Sequence, residues 1–169
     1  MTLTFKKFSR EDIPLYYQWR NDLEVARFDQ PGFLRPMSYE EVETWSERMV
    51  TGLTFLICID DQPIGTCAFM NLDERNRNAE LALVIGEKNY WSQGVGTKAL
   101  EEMLKMGFHG LNLHKLYLHV FEFNTRAIGL YEKLGFKLEG TLRDMHFHEG
   151  KYEAIRHYGL LRSEWEFLK

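Results

Sequence analysis

The stretch from Ala79 to Phe108 constrains the fold of this chain more than any other. An apolar run, Ala79 to Ile85, is followed by Tyr90-Trp91-Ser92-Gln93-Gly94-Val95-Gly96-Thr97-Lys98 and then by an amphipathic run from Thr97 to Phe108. The pattern predicts a strand, a glycine loop and a helix. Two glycines let the backbone approach a ligand, because no Cβ stands in the way. The helix behind the loop points its first N–H groups, and the positive end of its dipole, at whatever the loop holds. Together these features make an anion site, most often for phosphate. Taken alone, the stretch reads equally well as a strand-to-helix turn that needs glycine for geometry. No Gly-Lys-Ser/Thr follows the loop, which excludes a P-loop, and the loop comes after a meander rather than opening a series of βαβ units, which excludes a doubly wound dinucleotide fold.

Around this centre the chain reads in order. Leu3, Phe5 and Phe8 predict a first strand. Ser9 with Asp12 starts a helix over Arg10 to Arg20, Leu23 to Phe28 adds a turn or two of helix, and Asp29 to Met37, with Pro31, Gly32 and Pro36, is a loop. Ser38 with Glu41 caps a helix over Tyr39 to Val50. Thr54 to Ile59 and Ile64 to Leu72 form a hairpin across Asp60-Asp61-Gln62-Pro63, and Glu80 to Ile85 is a third strand beside them. Lys115 to Phe121 is mostly apolar, which predicts a central strand. Asn124 to Leu134 is a helix closed by Gly135, Phe136 to Leu142 is a strand, and His146 to Glu149 and Lys151 to Leu161 are two more around Gly150. This order predicts one α/β (α+β) domain over residues 1–169, a central mixed, mostly antiparallel sheet with helices on both faces.

Composition narrows the classes of function. A net charge of −4 disfavours nucleic acid as the main partner. No apolar run is long enough to span a bilayer, and Met1 to Lys7 has no signal-peptide core, so neither a membrane nor secretion is expected and a cytoplasmic protein is the default. Cys58 and Cys67 read as reduced residues of neighbouring strands. Glu40, Glu41, Glu43 and Glu47 read either as a solvated helix face or as an acidic rim near a substrate mouth. The six histidines make no metal pattern: His109, His114 and His119 are irregularly spaced, and only His146 and His148 share a strand face. No metal is expected.

Two stretches resemble the GNAT family of N-acetyltransferases. Ala79-Glu80-Leu81 through Gly94-Val95-Gly96-Thr97 resembles its acetyl-CoA motif, with Gly94 and Gly96 matching and Trp91 standing where Gln or Arg is usual. Asn124-Thr125-Arg126-Ala127-Ile128-Gly129-Leu130-Tyr131-Glu132-Lys133-Leu134-Gly135-Phe136 resembles its later Asn-x-x-Ala-x-x-x-Tyr motif. The ending Tyr158 to Leu161 is similar to the RimJ/RimL ribosomal-protein acetyltransferases and to spermidine acetyltransferases. The resemblance covers about residues 54 to 162 and is vague over 1 to 53.

The resemblance implies acetyl-CoA as donor. Its pantetheine arm would lie along Leu83, Val84 and Ile85, in a splay between that strand and Lys115 to Phe121. Its diphosphate would rest on the backbone of Trp91, Ser92, Gln93, Gly94, Val95, Gly96 and Thr97, with Lys98 either beside a phosphate or in solvent. Asn124, Ala127, Tyr131 and Lys133 carry over as cofactor contacts, although Asn124 as an N-cap needs no other role. The implied chemistry is direct transfer to an amine, which must be neutral to attack although a free alkylammonium has a pKa of about 10.4. Tyr131, a phenol with an ordinary pKa of about 10, carries over as the acid for the leaving thiolate. Glu80 reads evenly as a base acting through water or as a strand-end charge. The acceptor is a polyamine such as spermidine, a protein N-terminal amine, or an amino sugar or other small amine. A non-catalytic acyl-CoA-binding module is the alternative, and a homodimer is expected.

Overall fold

The computed structural model describes residues 1–29 and 34–167, so Pro31 and Gly32 of the expected loop lie outside the described residues. Among these residues the strands are β1 (Leu3–Lys7), β2 (Leu53–Ile59), β3 (Gln62–Asp73), β4 (Asn78–Ile85), β5 (Lys115–Phe121), β6 (Lys137–His148) and β7 (Lys151–Leu161). The helices are α1 (Ile13–Asn21), α2 (Leu23–Ala26), α3 (Tyr39–Thr51), α4 (Val95–Lys105), α5 (Thr125–Lys133) and α6 (Arg162–Phe167). The strands form one mixed sheet in the order β1-β2-β3-β4-β5-β7-β6. By contacts the chain divides into two compact units, Met1–Met70 with Ala82–Leu100, and Asn71–Leu81 with Glu101 onward.

In the first unit, β1 and β2 pair antiparallel from Leu3↔Ile59 to Lys7↔Phe55. β2 turns into β3 through Asp60 and Asp61, whose φ values of 47° and 65° supply the left-handed turn that a two-residue hairpin needs. Ser9 starts the first helical segment as expected: its N–H donates to Asp12 Oδ2 at 2.8 Å. The entry is a 3₁₀ turn, Arg10–Asp12, and α1 begins only at Ile13. At α3 the capping box closes in both directions, with Glu41 N–H donating to Ser38 Oγ at 3.2 Å and Ser38 N–H to Glu41 Oε2 at 2.8 Å. The far end of α3 is held by Lys7, whose Nζ donates to the carbonyls of Val50 at 3.0 Å and Gly52 at 2.7 Å. A cation there complements the negative end of the helix dipole. Phe8, Ile13, Tyr16, Trp19, Val42, Met49 and Leu56 fill the core of this unit. Each such burial is worth about 1.5–3 kcal/mol.

In the second unit, β5 and β7 pair antiparallel from Lys115↔Leu161 to Phe121↔Ile155. β4 joins β5 in parallel over Asn78↔Lys115, Ala79↔Leu116 and Glu80↔Tyr117. That ladder ends at Glu80↔Tyr117, although β4 runs on to Ile85 and β5 to Phe121. The separate strands expected at Phe136 to Leu142 and His146 to Glu149 are one strand, β6, paired with β7 and broken in register at Leu138/Gly140 and Leu142/His146. Asp144, at φ 52°, marks the second break, a bulge rather than a strand end. The helix expected to reach Phe108 is α-helical only to Lys105 and continues as a π turn over Met106–Gly110. The closing helix α6 has no counterpart in the sequence reading. It is started by Glu164, whose Oε2 accepts from Leu161 N–H at 3.0 Å, and anchored by Trp165, whose ring lies 5.2 Å from that of the fully buried Phe108.

Candidate active site

The first unit carries the glycine loop. Trp91 is fixed by its indole N–H, which donates to the Ile85 carbonyl at 2.9 Å. Ser92 and Gly94 both take positive φ, 60° and 75°. Helix α4 starts at Val95, two residues earlier than expected, and its first intrahelical bond runs from Lys98 N–H to Gly94 O at 3.1 Å. The amides of Val95, Gly96 and Thr97 lie ahead of that ladder, at the positive end of the helix. A Cβ on Gly94 would meet nothing within 4 Å, so the outside of the turn has room for a ligand. Gln93 and Lys98 are exposed, and Gln93 donates to the Asn89 carbonyl. Leu83, Val84 and Ile85 stay only half-buried although all are apolar, which leaves aliphatic surface open along β4. Such a surface suits the thin apolar arm of a coenzyme as the turn suits its diphosphate. The close backbone approach beside it is built on Gly65, whose Cβ would stand 2.2 Å from the Val84 carbonyl oxygen.

The second unit carries the expected acid and base. Asn124 caps α5, its Oδ1 accepting from Ala127 N–H at 3.2 Å. That bond commits the Asn124 side-chain oxygen to the helix start. Tyr131 lies half-buried about two turns beyond Asn124, its ring 6.0 Å from Phe136 and 6.5 Å from Tyr158. The next residue ties the helix down: Glu132 Oε1 accepts from the Tyr158 hydroxyl at 2.8 Å. Lys133 is exposed at the end of the helix.

Glu80 has more company than a strand-end charge. Its side chain is only 15% exposed. Oε2 accepts from Asn71 Nδ2 at 2.8 Å and Oε1 meets His119 Nδ1 at 2.7 Å. His119 Nε2 in turn lies 3.0 Å from His157 Nδ1, and His157 Nε2 lies 3.4 Å from Glu139 Oε2, which also takes Lys115 Nζ at 2.6 Å. Burial first, then the neighbouring His119 ring, lowers the pKa of His157 from its ordinary value. Burial and the Glu80 carboxylate raise that of Tyr117, whose ring stacks on His157 with centroids 5.2 Å apart.

Sequence reasoning set His119 and His157 aside because their spacing fits no ligand pattern. The usable signal was period two: Tyr117 and His119 share a face of β5, and the β5–β7 register puts His119 opposite His157. His146 and His148 do share a face, but their rings stack with Phe121 and Phe123, at 4.3 Å and 4.0 Å. Of the glutamates on α3, Glu41 pairs with Arg35 and Glu47 with Arg10. Cys58 and Cys67 are both buried and unpaired, and burial pushes the Cys67 thiol up to about 12.

Comparison with known proteins gives the family. The model of the Acetyltransferase (GNAT) domain matches residues 2–137. The chain is 32% identical over 162 residues to the spermidine N(1)-acetyltransferase of Escherichia coli K12, covering 92% of this chain and 84% of that protein. It is 29% identical over 169 residues to the N-acetyltransferase p20 of Bacillus licheniformis, covering 96% and 94%. A crystal structure of spermidine N-acetyltransferase from Vibrio cholerae in complex with CoA and spermine superposes with a TM-score of 0.87 at 25% identity, covering 97% of this chain and 98% of that one. With a family model spanning most of its length, and strand, glycine turn and helix where that family needs them, the chain belongs to the GNAT acetyltransferase family.

Proposed function

We propose that this chain transfers the acetyl group of acetyl-CoA to a primary amine of a polyamine such as spermidine. The observation that carries the choice of acceptor is the similarity, over nearly the whole chain, to spermidine acetyltransferases from two bacteria. The amides at the start of α4 and the open apolar side of Leu83 to Ile85 support acetyl-CoA as donor. Acetyl-CoA supplies an acetyl group activated as a thioester, and every remaining task falls to the protein. The amides of Val95, Gly96 and Thr97 hold the diphosphate with no charge of their own to neutralise. Backbone N–H groups of Leu83 to Ile85 meet the negative charge that grows on the carbonyl oxygen. Glu80 takes a proton from the acceptor, directly or through water, because the ammonium has no lone pair to attack with. Tyr131 donates to the departing sulfur, a task suited to a phenol that stays protonated at neutral pH. The exposed Leu142, Met145 and Phe147 on β6 support self-association.

The test is thiol release from acetyl-CoA against a panel of amines. Spermidine should give a kcat/KM at least about tenfold above that for peptide N-termini and amino sugars, a margin of about 1.4 kcal/mol in transition-state binding. A preference for peptide N-termini would move the acceptor to the ribosomal-protein class. Tight acetyl-CoA binding with no amine turned over would leave the non-catalytic binding module.

A further inference from the structure

We infer that His119 and His157 form a two-ring proton relay that draws the proton off Glu80 and delivers it to the Glu139 end, where solvent reaches it. The inference rests on the reading of Glu80 as the base. Four side chains from four strands make the line, Glu80 on β4, His119 on β5, His157 on β7 and Glu139 on β6. Three contacts join them, at 2.7, 3.0 and 3.4 Å, and each needs one hydrogen. Two neutral imidazoles supply only two N–H groups. While Glu80 is ionised, the line is therefore one hydrogen short, and it is completed by one added proton. A second would place two imidazolium rings with centroids 4.7 Å apart, so the pair takes one.

The step balances as a chain of transfers. In the tautomer the relay requires, His119 carries its hydrogen on Nε2 and donates to His157 Nδ1, and His157 carries its own on Nε2, facing Glu139 Oε2 across 3.4 Å. Nδ1 of His119 is then a bare lone pair aimed at Glu80. When Glu80 has gained a proton from the acceptor, its O–H bond breaks and the proton forms N–H at His119 Nδ1. The Nε2 proton of His119 passes to His157 Nδ1, and the Nε2 proton of His157 passes to Glu139 or water. Glu80 is again a carboxylate, and both rings, which now carry their hydrogen on Nδ1, return to the Nε2 form by proton exchange with water at their exposed edges before the next turn. Exposure draws the proton away from Glu80, whose side chain is 15% exposed, since each other member of the line is more open: His119 at 38%, His157 at 29% and Glu139 at 34%.

The surroundings are arranged for the line rather than for a chance surface ion pair. Tyr117 stacks on His157, at an interplanar angle of 18°, and lies edge-on to His119. Asn71 on β3 holds the other oxygen of Glu80. Glu139 lies flat across β7 because Gly159 has no side chain there: a Cβ would stand 2.5 Å from the Glu139 carboxylate. The groups that face the two rings are thus Glu80, Lys115, Tyr117 and Glu139, with Asn71 and, further out, Asp73 beside Tyr117.

Two measurements on the full chain test the relay. Imidazole ¹⁵N spectra should show His119 and His157 sharing the uptake of a single proton between about pH 8 and 5; two independent titrations of one proton each would overturn the proposal, whatever the enzyme's acceptor. In thiol-release assays with spermidine, His119→Asn keeps an amide at the Nδ1 position facing Glu80 but cannot pass a proton, and His157→Asn does not touch Glu80 at all. Both should lower kcat about tenfold at pH 7 in dilute buffer, leave KM for acetyl-CoA unchanged, and recover on addition of free imidazole. An unchanged kcat in His157→Asn, or a loss that imidazole does not repair, removes the relay. Glu80→Gln separates this from the parent reading: full activity in that variant removes Glu80 as base, whereas its inactivity beside active histidine variants removes only the relay.

Discussion

As the proposed acid and base, Tyr131 and Glu80 ask opposite things of their surroundings. An acid for a thiolate must keep its proton until sulfur needs it, and a phenol, with an ordinary pKa of about 10, suits that task; Tyr131 is half-buried beside Phe136 and Tyr158. Tyr131→Phe keeps the ring and removes only the hydroxyl, so kcat should fall about 10²- to 10⁴-fold, the range of a lost general acid, while acetyl-CoA affinity stays within about twofold. Steady-state kinetics beside a binding titration checks this, and an unaltered kcat would release Tyr131 from the role. A base must instead lose its proton every cycle, and that is a matter of neighbours. Tyr131 is legible in the sequence because its motif lies within one helix. The partners of Glu80 are not, because Asn71, His119 and Glu80 are brought together by strand register, and His119 meets His157 across 38 residues. A spacing rule that looks for ligands along the chain passes over a line that runs across it.

Elements were read well where a local chemical signal ends them. Ser9 and Ser38 with their acidic partners three residues on, Asn124 before α5, and Gly135 after it at φ 90° all act as the sequence says. The failures are tertiary. Arg143 to Met145 looks like a strand break because nothing local distinguishes a bulge from an end; only pairing with β7 keeps β6 continuous. Helix α6 is short and depends on Trp165 finding the pocket at Phe108, which no window of the sequence displays. The cap of α3 also gives a pH test. Its Glu41 carboxylate is held at a pKa of about 2, first by the Arg35 guanidinium at 2.6 Å and then by the Ser38 amide. A carboxylate depressed from an ordinary value of 4.5 contributes stability that is present above about pH 4.5 and is lost as pH falls toward 2. Glu41→Gln retains an oxygen for the Ser38 amide but not the charge. Urea midpoints measured between pH 5 and 2 should therefore fall less steeply in Glu41→Gln than in the parent chain; parallel slopes would show that the pair does not couple to folding.

At the scale of the whole molecule, binding and turnover separate what local geometry cannot. Any ligand that binds only the folded chain raises its stability by mass action, about 2.7 kcal/mol at a hundred times Kd. For a chain of this length 1 kcal/mol moves Tm by about 2–4 °C, so saturating acetyl-CoA should raise Tm by roughly 5–11 °C. The shift should vanish in Gly94→Val. Space alone does not forbid a side chain at Gly94, since nothing of the protein lies within 4 Å, but φ of 75° disfavours a β-branched residue there and the open side of the turn is where a diphosphate would sit. Strain lowers the basal Tm of this variant, so the informative quantity is the increment on adding acetyl-CoA, not the starting value. A full increment in Gly94→Val would place the diphosphate away from the turn. A lost increment, with the parent chain still releasing thiol to spermidine, ties the start of α4 to the donor and leaves acceptor chemistry to Glu80 and Tyr131. A binding module would keep the increment in the parent chain and release no thiol to any amine, so the pair of measurements distinguishes a catalyst from a protein that only holds the coenzyme.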